Sequence, residues 1–316
     1  MSGERMPGVA ADAAAGASRS GGDRMPSGAG TRGVPAASTG PDDAASAAPR
    51  PWEYSAFPVT VARREMLSPN FVRLTFSGDA LQHFAPWGLD QRIKLVLPLP
   101  GGGLAEFGLL DDPTPHPSDW YTRWKALPPD ERNVLRTYTP AAIRPEAGEI
   151  DVDIYLHSPD GPASRWARGA RVGETLVITG PDVRNGWTGY GIHWQPPEQY
   201  TSFLLVADET AIPAVRGIAA SLPPAARGIA IVEIGDHADD LTVAGLSPQV
   251  DVRVVGRGET EAAVRAWATP DVAVAWLAGE SGVVTASRRV LVRELGVPRE
   301  RVAFLGYWRE GGALVD

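Results

Sequence analysis

The chain has 316 residues, of which 43% are hydrophobic and 22% are charged, a composition typical of globular proteins and a length sufficient for two domains. It contains no cysteine, which excludes disulfides, thiolate metal sites and cysteine-ligated iron–sulfur clusters, so electron transfer would require an organic cofactor. The net charge of −8 argues against a nucleic-acid partner, and the lack of an apolar run of about 18 residues predicts no membrane span.

Residues 1–50 differ in composition from the rest of the chain. They are rich in Ala, Gly, Ser, Pro and Asp and contain no Leu, Ile, Phe, Tyr or Trp. Such a segment buries too little apolar surface to offset its chain entropy, so we predict a disordered tail, with a binding segment as the alternative. It also lacks the apolar core of about 7–15 residues that a secretory signal needs, which predicts a cytoplasmic protein.

Residues 51–195 contain short strand-like runs separated by glycine and proline. Alternating and apolar patterns predict strands at residues 57–63, 71–77, 92–99, 134–139, 150–157 and 175–180. Many short strands with turn signals favour a small antiparallel β-barrel. The stretch 101–132 is predicted to be irregular, and its aromatic residues Trp120, Tyr121 and Trp124 either pack over the barrel or form a binding platform.

Residues 196–316 have a different pattern, in which apolar strands alternate with helices. The predicted strands are 203–207, 229–234, 252–255, 272–277 and 302–305, and the predicted helices are 211–222, 260–268 and 281–295. This βαβ series predicts a doubly wound parallel sheet, joined to the barrel by a linker at 191–200. The predicted fold class is therefore α+β with two domains, an N-terminal antiparallel β-barrel and a C-terminal α/β domain, as in the ferredoxin-reductase superfamily.

Two segments of the first domain have groups suited to a flavin. Arg-Thr-Tyr-Thr-Pro, at residues 136–140, offers a guanidinium for a diphosphate, a phenol ring for the isoalloxazine and hydroxyls for its edge. Residues 153–167 run from a strand through the small-residue turn Gly-Pro-Ala-Ser into a helix, whose free N–H groups can hold a diphosphate. Their order and spacing indicate a flavin-binding reductase.

Two loops of the second domain are candidates for a pyridine-nucleotide site, because such ligands lie over the carboxyl ends of parallel strands. Residues 207–214 and 278–282 each leave a strand and open a helix. The Gly-x-Gly-x-x-Gly fingerprint is absent, and the alternative is that both loops are only helix caps. The candidate nucleotide-binding residues are Asp208, Thr210, Ala211, Gly279, Glu280 and Ser281.

Together these segments resemble the siderophore-interacting proteins, a family of cytoplasmic, flavin-dependent ferric-siderophore reductases. The resemblance covers about residues 55–312 and rests on matching stretches at 136–140, 153–157, 161–167, 180–181, 207–214, 276–281 and 306–311. It implies FAD as the cofactor and NADH or NADPH as the electron donor. The FAD-binding residues that it implies are Arg136, Tyr138, Thr139, His157, Ala163, Ser164 and Trp166.

The resemblance also implies a ferric siderophore as substrate, in a pocket lined by cations at Lys94, Arg184 and Arg309. A ferric catecholate chelate is a trianion, and an unpaired anion in a pocket is costly. Alternatives are a surface role for Lys94 and a structural salt bridge for Arg309. Family members often carry another Arg where this chain has Ala141, and whether Arg144 replaces that charge is open.

The sequence therefore predicts a monomeric NAD(P)H-dependent, FAD-containing ferric-siderophore reductase in which the flavin carries the chemistry. No side chain acts as catalytic acid or base, and no protein group ligates the iron. Glu233 and Asp236 favour NADH, whereas Arg257 would favour NADPH, and a ferredoxin donor remains open. The rival hypotheses are a general flavin reductase or diaphorase without siderophore specificity, and a non-catalytic siderophore-binding module.

Overall fold

The computed structural model describes residues 53–242 and 246–311, so the predicted tail at residues 1–50 lies outside the described residues. The first part of the described chain forms an antiparallel sheet of seven strands. These strands are β1 (Tyr54–Ser68), β2 (Phe71–Ser77), β3 (Ile93–Val96), β4 (Leu135–Tyr138), β5 (Ala142–Arg144), β6 (Glu149–Tyr155) and β7 (Thr175–Pro181). Helices α1 (Pro117–Ala126) and α2 (Pro162–Gly169) accompany it, with 3₁₀ turns at Asp79–His83, Pro145–Ala147 and Val183–Asn185.

The seven-stranded sheet is curled because a short connection joins its two edges. The strand order is β4-β3-β7-β1-β2-β6-β5, so β4 and β5 lie at opposite edges although only residues 139–141 connect them. Six spacings of roughly 4.8 Å would place the outer strands of a flat sheet about 29 Å apart, whereas four residue steps span at most about 14 Å. The sheet therefore curls into an open barrel, and the gap between the edges of β4 and β5 is called the seam below.

Alternation along the strands separates the inside of the barrel from its outside. The inside is filled by apolar side chains of β1, β2, β3, β6 and β7. The outside is covered by the segment that contains α1, whose buried Trp120 packs with Tyr54, Val96 and Val177. The prediction of an irregular stretch at 101–132 is wrong over α1, because Pro117 at the first helical position starts a helix. The aromatic cluster thus packs on the barrel, as the first of the two interpretations proposed.

The second part of the described chain forms a parallel sheet of five strands. These are β8 (Ser202–Asp208), β9 (Arg227–Glu233), β10 (Val250–Val255), β11 (Val274–Glu280) and β12 (Val302–Trp308). Its helices are α3 (Ile212–Ala220), α4 (Thr260–Trp267) and α5 (Ser281–Arg289), and α5 continues as a π-helical turn at Val290–Glu294. Short 3₁₀ turns lie at Glu209–Ala211, His237–Thr242 and Arg299–Arg301.

Both faces of the parallel sheet are buried, as expected when crossover helices cover it. Strand β8 contributes Leu205 and Ala207 to a core that includes α3, and Leu204 and Val206 to a core that includes α4 and α5. The strand order is β10-β9-β8-β11-β12, so the direction of winding reverses between β8 and β11. The predicted doubly wound sheet is confirmed, and the reversal marks the place where such sheets bind ligands.

A buried carboxylate, that of Asp90, connects the two sheets. Asp90 is 0% exposed and accepts hydrogen bonds from the backbone N–H groups of His193 and Trp194, each at 3.1 Å. It also accepts from the indole Nε1 of Trp276 on β11 at 2.9 Å. Trp276 is fully buried, so its N–H group needs an acceptor inside the protein. Asp90 therefore holds the chain before β3, the segment between the sheets and β11 in one arrangement.

We expect Asp90→Ala to lower the free energy of unfolding by about 3–5 kcal/mol, because two buried donors and one partly buried donor lose their acceptor. Urea titration followed by fluorescence measures this change. Asp251→Ala is the matched control, since Asp251 pairs with Arg253 at an exposed site, where a salt bridge contributes at most about 1 kcal/mol. Equal destabilisation by the two variants would contradict a connecting role for Asp90.

Candidate functional site

The motif Arg-Thr-Tyr-Thr-Pro forms β4 and the start of the seam. Across the β3–β4 ladder, Arg136 lies opposite Leu95 and Tyr138 lies opposite Ile93. Directly opposed residues share a face, so Arg136 and Tyr138 lie on the inner face of the sheet. The Arg136 guanidinium donates to the Leu135 carbonyl at 2.8 Å and forms no ion pair with any described residue. Burial raises the pKa of the Tyr138 phenol, so this ring stays neutral.

Two buried hydroxyl groups lie close together at the end of β4. Thr139 Oγ1 and Tyr307 Oη are both buried and lack a hydrogen-bond partner among the described residues. Burial raises the pKa of Tyr307, and the nearby Thr139 hydroxyl acts against that effect. Because Tyr307 lies on β12, this pair brings the second sheet to the seam of the first. Buried polar atoms without a partner are costly, so each of these hydroxyls needs either the other hydroxyl or a group of a ligand as its partner.

The turn before α2 leaves backbone N–H groups open. Gly161 is the N-cap and no side chain caps the helix, so the N–H groups of Ala163 and Ser164 have no intrahelical partner. The Ser164 hydroxyl donates instead to the Tyr155 carbonyl at 3.2 Å, which anchors the helix on β6. A Cβ at position 161 would lie 2.9 Å from the imidazole of His157, so glycine lets this ring approach the turn.

The last two predicted FAD residues differ in their surroundings. His157 is exposed, and its Nδ1 lies 2.8 Å from the Pro159 carbonyl, so its ring is held at the entrance of the turn. Trp166 stacks on Phe76, and its Nε1 donates to Glu174 at 2.9 Å, so its side chain packs with the barrel and not at the open N–H groups. The structure therefore does not bring the Trp166 ring to the turn.

These residues fit FAD. The unpaired Arg136 and the open N–H groups of α2 are suited to a diphosphate. The neutral Tyr138 ring offers a flat surface at the seam, and the hydroxyl of Thr139 is buried with no partner. The residue that the sequence did not assign to this site is Tyr307. Its motif, Gly-Tyr-Trp-Arg, indicates only Arg309 from the sequence, because burial and pairing of the phenol cannot be inferred from the residue order.

At the carboxyl edge of the parallel sheet, Asp208 is the central acceptor. It accepts from the backbone N–H and hydroxyl of Thr210 at 2.9 and 2.5 Å, from the Glu280 N–H at 2.8 Å and from the Trp308 indole at 2.7 Å. Burial raises the pKa of Asp208, and its hydrogen bonds act in the opposite direction. Gly279 has a φ of +144°, and a Cβ there would lie 2.5 Å from Asp208 Oδ2. Asp208 thus joins the ends of β8, β11 and β12.

The other predicted nucleotide residues are also occupied by protein contacts. The Glu280 carboxylate caps α5 by accepting from the Val283 N–H at 2.9 Å. The Ser281 hydroxyl donates to the Trp308 carbonyl at 2.9 Å, and Ala211 is fully buried. Between β8 and β11 the structure leaves a cavity of only about 10 Å³, room for one water molecule. The helix-cap interpretation describes the contacts that are present, and a nucleotide-binding role for these residues stays a prediction.

Further carboxylates follow β8 and β9. Glu209 is 0% exposed and pairs with Arg257 at 2.5 Å, while Glu233 lies 3.5 Å from the same guanidinium. Glu233 also accepts from the Thr260 hydroxyl at 2.6 Å. The charge of Arg257 is therefore balanced inside the protein. Sequence reasoning missed Glu209, because a fully buried glutamate is unusual and nothing in its neighbourhood along the chain predicts its partner.

The three predicted substrate cations are in different states. Lys94 is half-buried on β3 and has no carboxylate partner, and its amine lies 3.3 Å from Thr137 Oγ1. Burial lowers the pKa of Lys94 to about 8, and the nearby charge of Arg92 contributes a smaller part of this shift. Arg309 is exposed and forms no ion pair with a described residue. Arg184 instead donates to the fully buried Asp182 at 2.9 and 2.6 Å.

Arg144, the candidate to replace the charge that Ala141 lacks, is paired with carboxylates of the barrel. The Arg144 guanidinium donates to both Asp151 and Glu149, with distances of 2.8 to 3.3 Å. Burial raises the pKa of Asp151, but these bonds from Arg144 and one from Thr75 outweigh it and hold the pKa below its usual value. Arg144 is thus part of an ion-pair network with two carboxylates of β6, which balance its charge.

Comparison with known proteins identifies the family. The siderophore-interacting FAD-binding domain matches residues 60–185, and the siderophore-interacting protein family matches residues 200–311. The chain therefore belongs to the siderophore-interacting protein family. The fold is shared with the siderophore-interacting protein SipS from Aeromonas hydrophila, at 30% identity and a TM-score of 0.61, over 82% of this chain and 93% of that one.

Two relatives are matched over very different fractions of their own length. It is 24% identical to the ferric vibriobactin reductase ViuB of Vibrio cholerae over 79% of this chain and 88% of ViuB. It is 31% identical to the mycobactin import ATP-binding/permease protein IrtA of Mycolicibacterium smegmatis over 65% of this chain. The chain spans about a quarter (24%) of the length of that IrtA protein.

The family match confirms the predicted fold and the prediction of FAD as the cofactor. NAD(P)H as electron donor is compatible with the fold. Within residues 53–242 and 246–311, no helix is both long and apolar enough to cross a membrane. In the same residues no cluster of three or more His, Asp or Glu side chains is arranged to hold a metal ion.

We expect Arg136→Ala to lose flavin, because the diphosphate would lose the one unpaired guanidinium that β4 offers it. The ratio of FAD to protein, measured by absorbance after dialysis, should fall well below that of the unmodified protein. Arg63→Ala is the control, since Arg63 pairs with Glu149 on the exposed side of the same barrel. Full flavin retention by Arg136→Ala would remove Arg136 from the site.

Proposed function

We propose that this protein is an NAD(P)H-dependent, FAD-containing ferric-siderophore reductase that acts in the cytoplasm. The observation that carries the proposal is the half-buried amine of Lys94, which has no carboxylate partner among the described residues and lies on the strand next to β4. Family membership and the likeness to a ferric vibriobactin reductase, of which the chain covers 88%, support the same reaction. The cytoplasmic location rests on the family resemblance.

The cofactor would be held by the barrel, here proposed as an FAD-binding domain at residues 51–195. FAD, when bound, supplies the redox chemistry, because it takes two electrons from a reduced nicotinamide and can give single electrons to Fe(III). Arg136 and the N–H groups of Ala163 and Ser164 bind the diphosphate. Tyr138 supports the flat ring, and the Thr139 hydroxyl forms a hydrogen bond to its edge.

The substrate would be a ferric siderophore that carries negative charge. A trianionic catecholate chelate in a partly dry site needs cations, and Lys94 and Arg309 are both free of carboxylate partners among the described residues. No protein ligand to iron is required, since Fe(II) binds hard siderophore oxygens poorly and dissociates. Arg184 is a weaker candidate than the sequence indicated, because Asp182 already balances its charge.

The electron donor would bind at residues 196–316, and NADH is favoured over NADPH. Arg257, the residue that could attract a 2′-phosphate, is already paired with Glu209 and lies near Glu233. The carboxylates at this edge would repel an additional phosphate. A ferredoxin donor is the alternative, because the Glu280 carboxylate caps the N-terminus of α5 and Asp208 accepts from the Thr210 N–H in the turn before α3, so these two N–H groups are not open to a diphosphate.

We expect Lys94→Ala and Arg309→Ala each to raise KM for a trianionic ferric siderophore about 5- to 30-fold, equivalent to roughly 1–2 kcal/mol per lost contact. KM should also rise with salt, because exposed charges are screened over about 8–10 Å. Steady-state kinetics at two salt concentrations test this, with a neutral ferric hydroxamate as the comparison substrate. Equal losses for both chelates would contradict a cationic site and favour a general flavin reductase.

For the donor, we expect kcat/KM to be higher with NADH than with NADPH, because the Arg257 charge is balanced and the neighbouring carboxylates repel a 2′-phosphate. Anaerobic reduction of the flavin, followed by its absorbance, measures both donors without a chelate. A tenfold preference for NADPH would show that these carboxylates do not face the nucleotide. Purified protein without any flavin absorbance would instead favour a non-catalytic binding module.

A further inference from the structure

Arg92, just before β3, is a partly buried cation without an anion. Its Nε is buried and has no hydrogen-bond partner among the described residues, and its guanidinium forms no ion pair with them. Its backbone N–H donates to the Gly191 carbonyl at 3.0 Å. Gly191 has a φ of +79°, and a Cβ there would lie 2.9 Å from the Arg92 carbonyl oxygen. The backbone of Arg92 is thus fixed against the segment between the two sheets, while its charged group is unused.

The groups around Arg92 come from three parts of the chain. Its charge lowers the pKa of Lys94 on β3, of His193 and Tyr190 between the sheets, and of Tyr307 on β12, in each case after the larger effect of burial. Through Tyr307, whose hydroxyl lies near Thr139, this cluster reaches the seam. Arg92 therefore lies at the junction where the proposed flavin and substrate positions meet.

No carboxylate in this neighbourhood is available to Arg92. Asp90 is two residues away, but its oxygens are used by the N–H groups of His193 and Trp194 and by the Trp276 indole. Two adjacent cations, Arg92 and Lys94, are therefore held in a partly buried place without a counter-charge. Such an arrangement is unfavourable unless an anion from outside the chain occupies it.

We propose that Arg92, together with Lys94, binds the anionic ferric chelate and is the third cation of the substrate site, in the role that the sequence assigned to Arg184. This inference rests on the proposed function. The two arginines differ in their partners, since Arg184 is held by a fully buried aspartate and Arg92 by none. An arginine fork also binds the planar, charged oxygens of a catecholate better than a point charge does.

The test is equilibrium binding of ferric chelates to the FAD-loaded, oxidised protein, followed by fluorescence quenching without any electron donor. The probes are a ferric tris-catecholate of charge −3 and a neutral ferric trihydroxamate. Arg92→Leu should weaken binding of the trianion about tenfold and that of the neutral chelate much less, and Arg92→Lys should restore part of the loss. Arg301→Leu, at the exposed amino end of β12, is the matched loss of one charge and should have no effect.

A pH series separates a substrate contact from a structural role. In the unmodified protein, trianion binding should weaken above about pH 8, where Lys94 loses its proton. Without Arg92 the pKa of Lys94 should rise, so this weakening should move to higher pH in Arg92→Leu. His193 does not interfere, because its lowered pKa places its titration below this range, and burial raises the pKa values of Tyr190 and Tyr307.

Three results would overturn the inference. Unchanged affinity of Arg92→Leu for the trianion would show that Arg92 does not contact the chelate. If binding weakens at the same pH in Arg92→Leu as in the unmodified protein, Arg92 does not act on the charge of Lys94. Loss of FAD from Arg92→Leu and Arg92→Lys with normal chelate binding on reloading would assign Arg92 to the flavin diphosphate instead. If the unmodified protein binds neither chelate, the proposed function itself fails, which is distinct from a failure confined to the Arg92 variants.

Discussion

The short connection at residues 139–141 is the constraint on which the site depends. It ties the two edge strands of a seven-stranded sheet together and forces the sheet to curl. Because β4 pairs with β3 on one side only, its other edge is open at the seam, directly where Arg136, Tyr138 and Thr139 follow one another. The FAD that we propose would lie at this open edge. The same residues on a central strand would have no room for it.

The second sheet differs from the barrel in that carboxylates line the ends of its strands. Asp208, Glu209, Glu233 and Glu280 all lie at or just beyond strand ends on the carboxyl edge, and each is held by donors or cations of the protein itself. This edge is therefore rich in carboxylates that are already hydrogen-bonded, whereas the cations Arg92, Lys94 and Arg136 on the barrel side have no anionic partner among the described residues. The barrel side is thus better suited to anionic ligands than the carboxylate-rich edge of the second sheet.

The sequence predicted the order and type of most elements because their periodicity is local. The buried parallel strands read as apolar runs, and the barrel strands alternate. Helix α1 was missed because its apolar content is low, although Pro117 gave a start signal, and β5 was missed because three residues carry too little pattern. The sequence motifs also pointed to the seam and to the turn before α2, because the residues of each of these two places follow one another in the chain.

Pairing between distant residues could not be predicted. Whether an arginine is free depends on its neighbours in space, so Arg184 was selected and Arg92 was not, although Arg92 lies two residues from Lys94. The same limit hid Tyr307 and Glu209, whose burial depends on the contact between the sheets. Local chemistry therefore indicated the class of site, and three-dimensional packing decided which charges remain available in it.

The anaerobic absorbance spectrum of the purified protein tests the central claim most directly. The account predicts a flavin spectrum that is bleached by NADH and returns when a ferric tris-catecholate is added, with Fe(II) captured by a chromogenic chelator in proportion. Protein without flavin, or reduced flavin that the ferric chelate does not reoxidise, would contradict it.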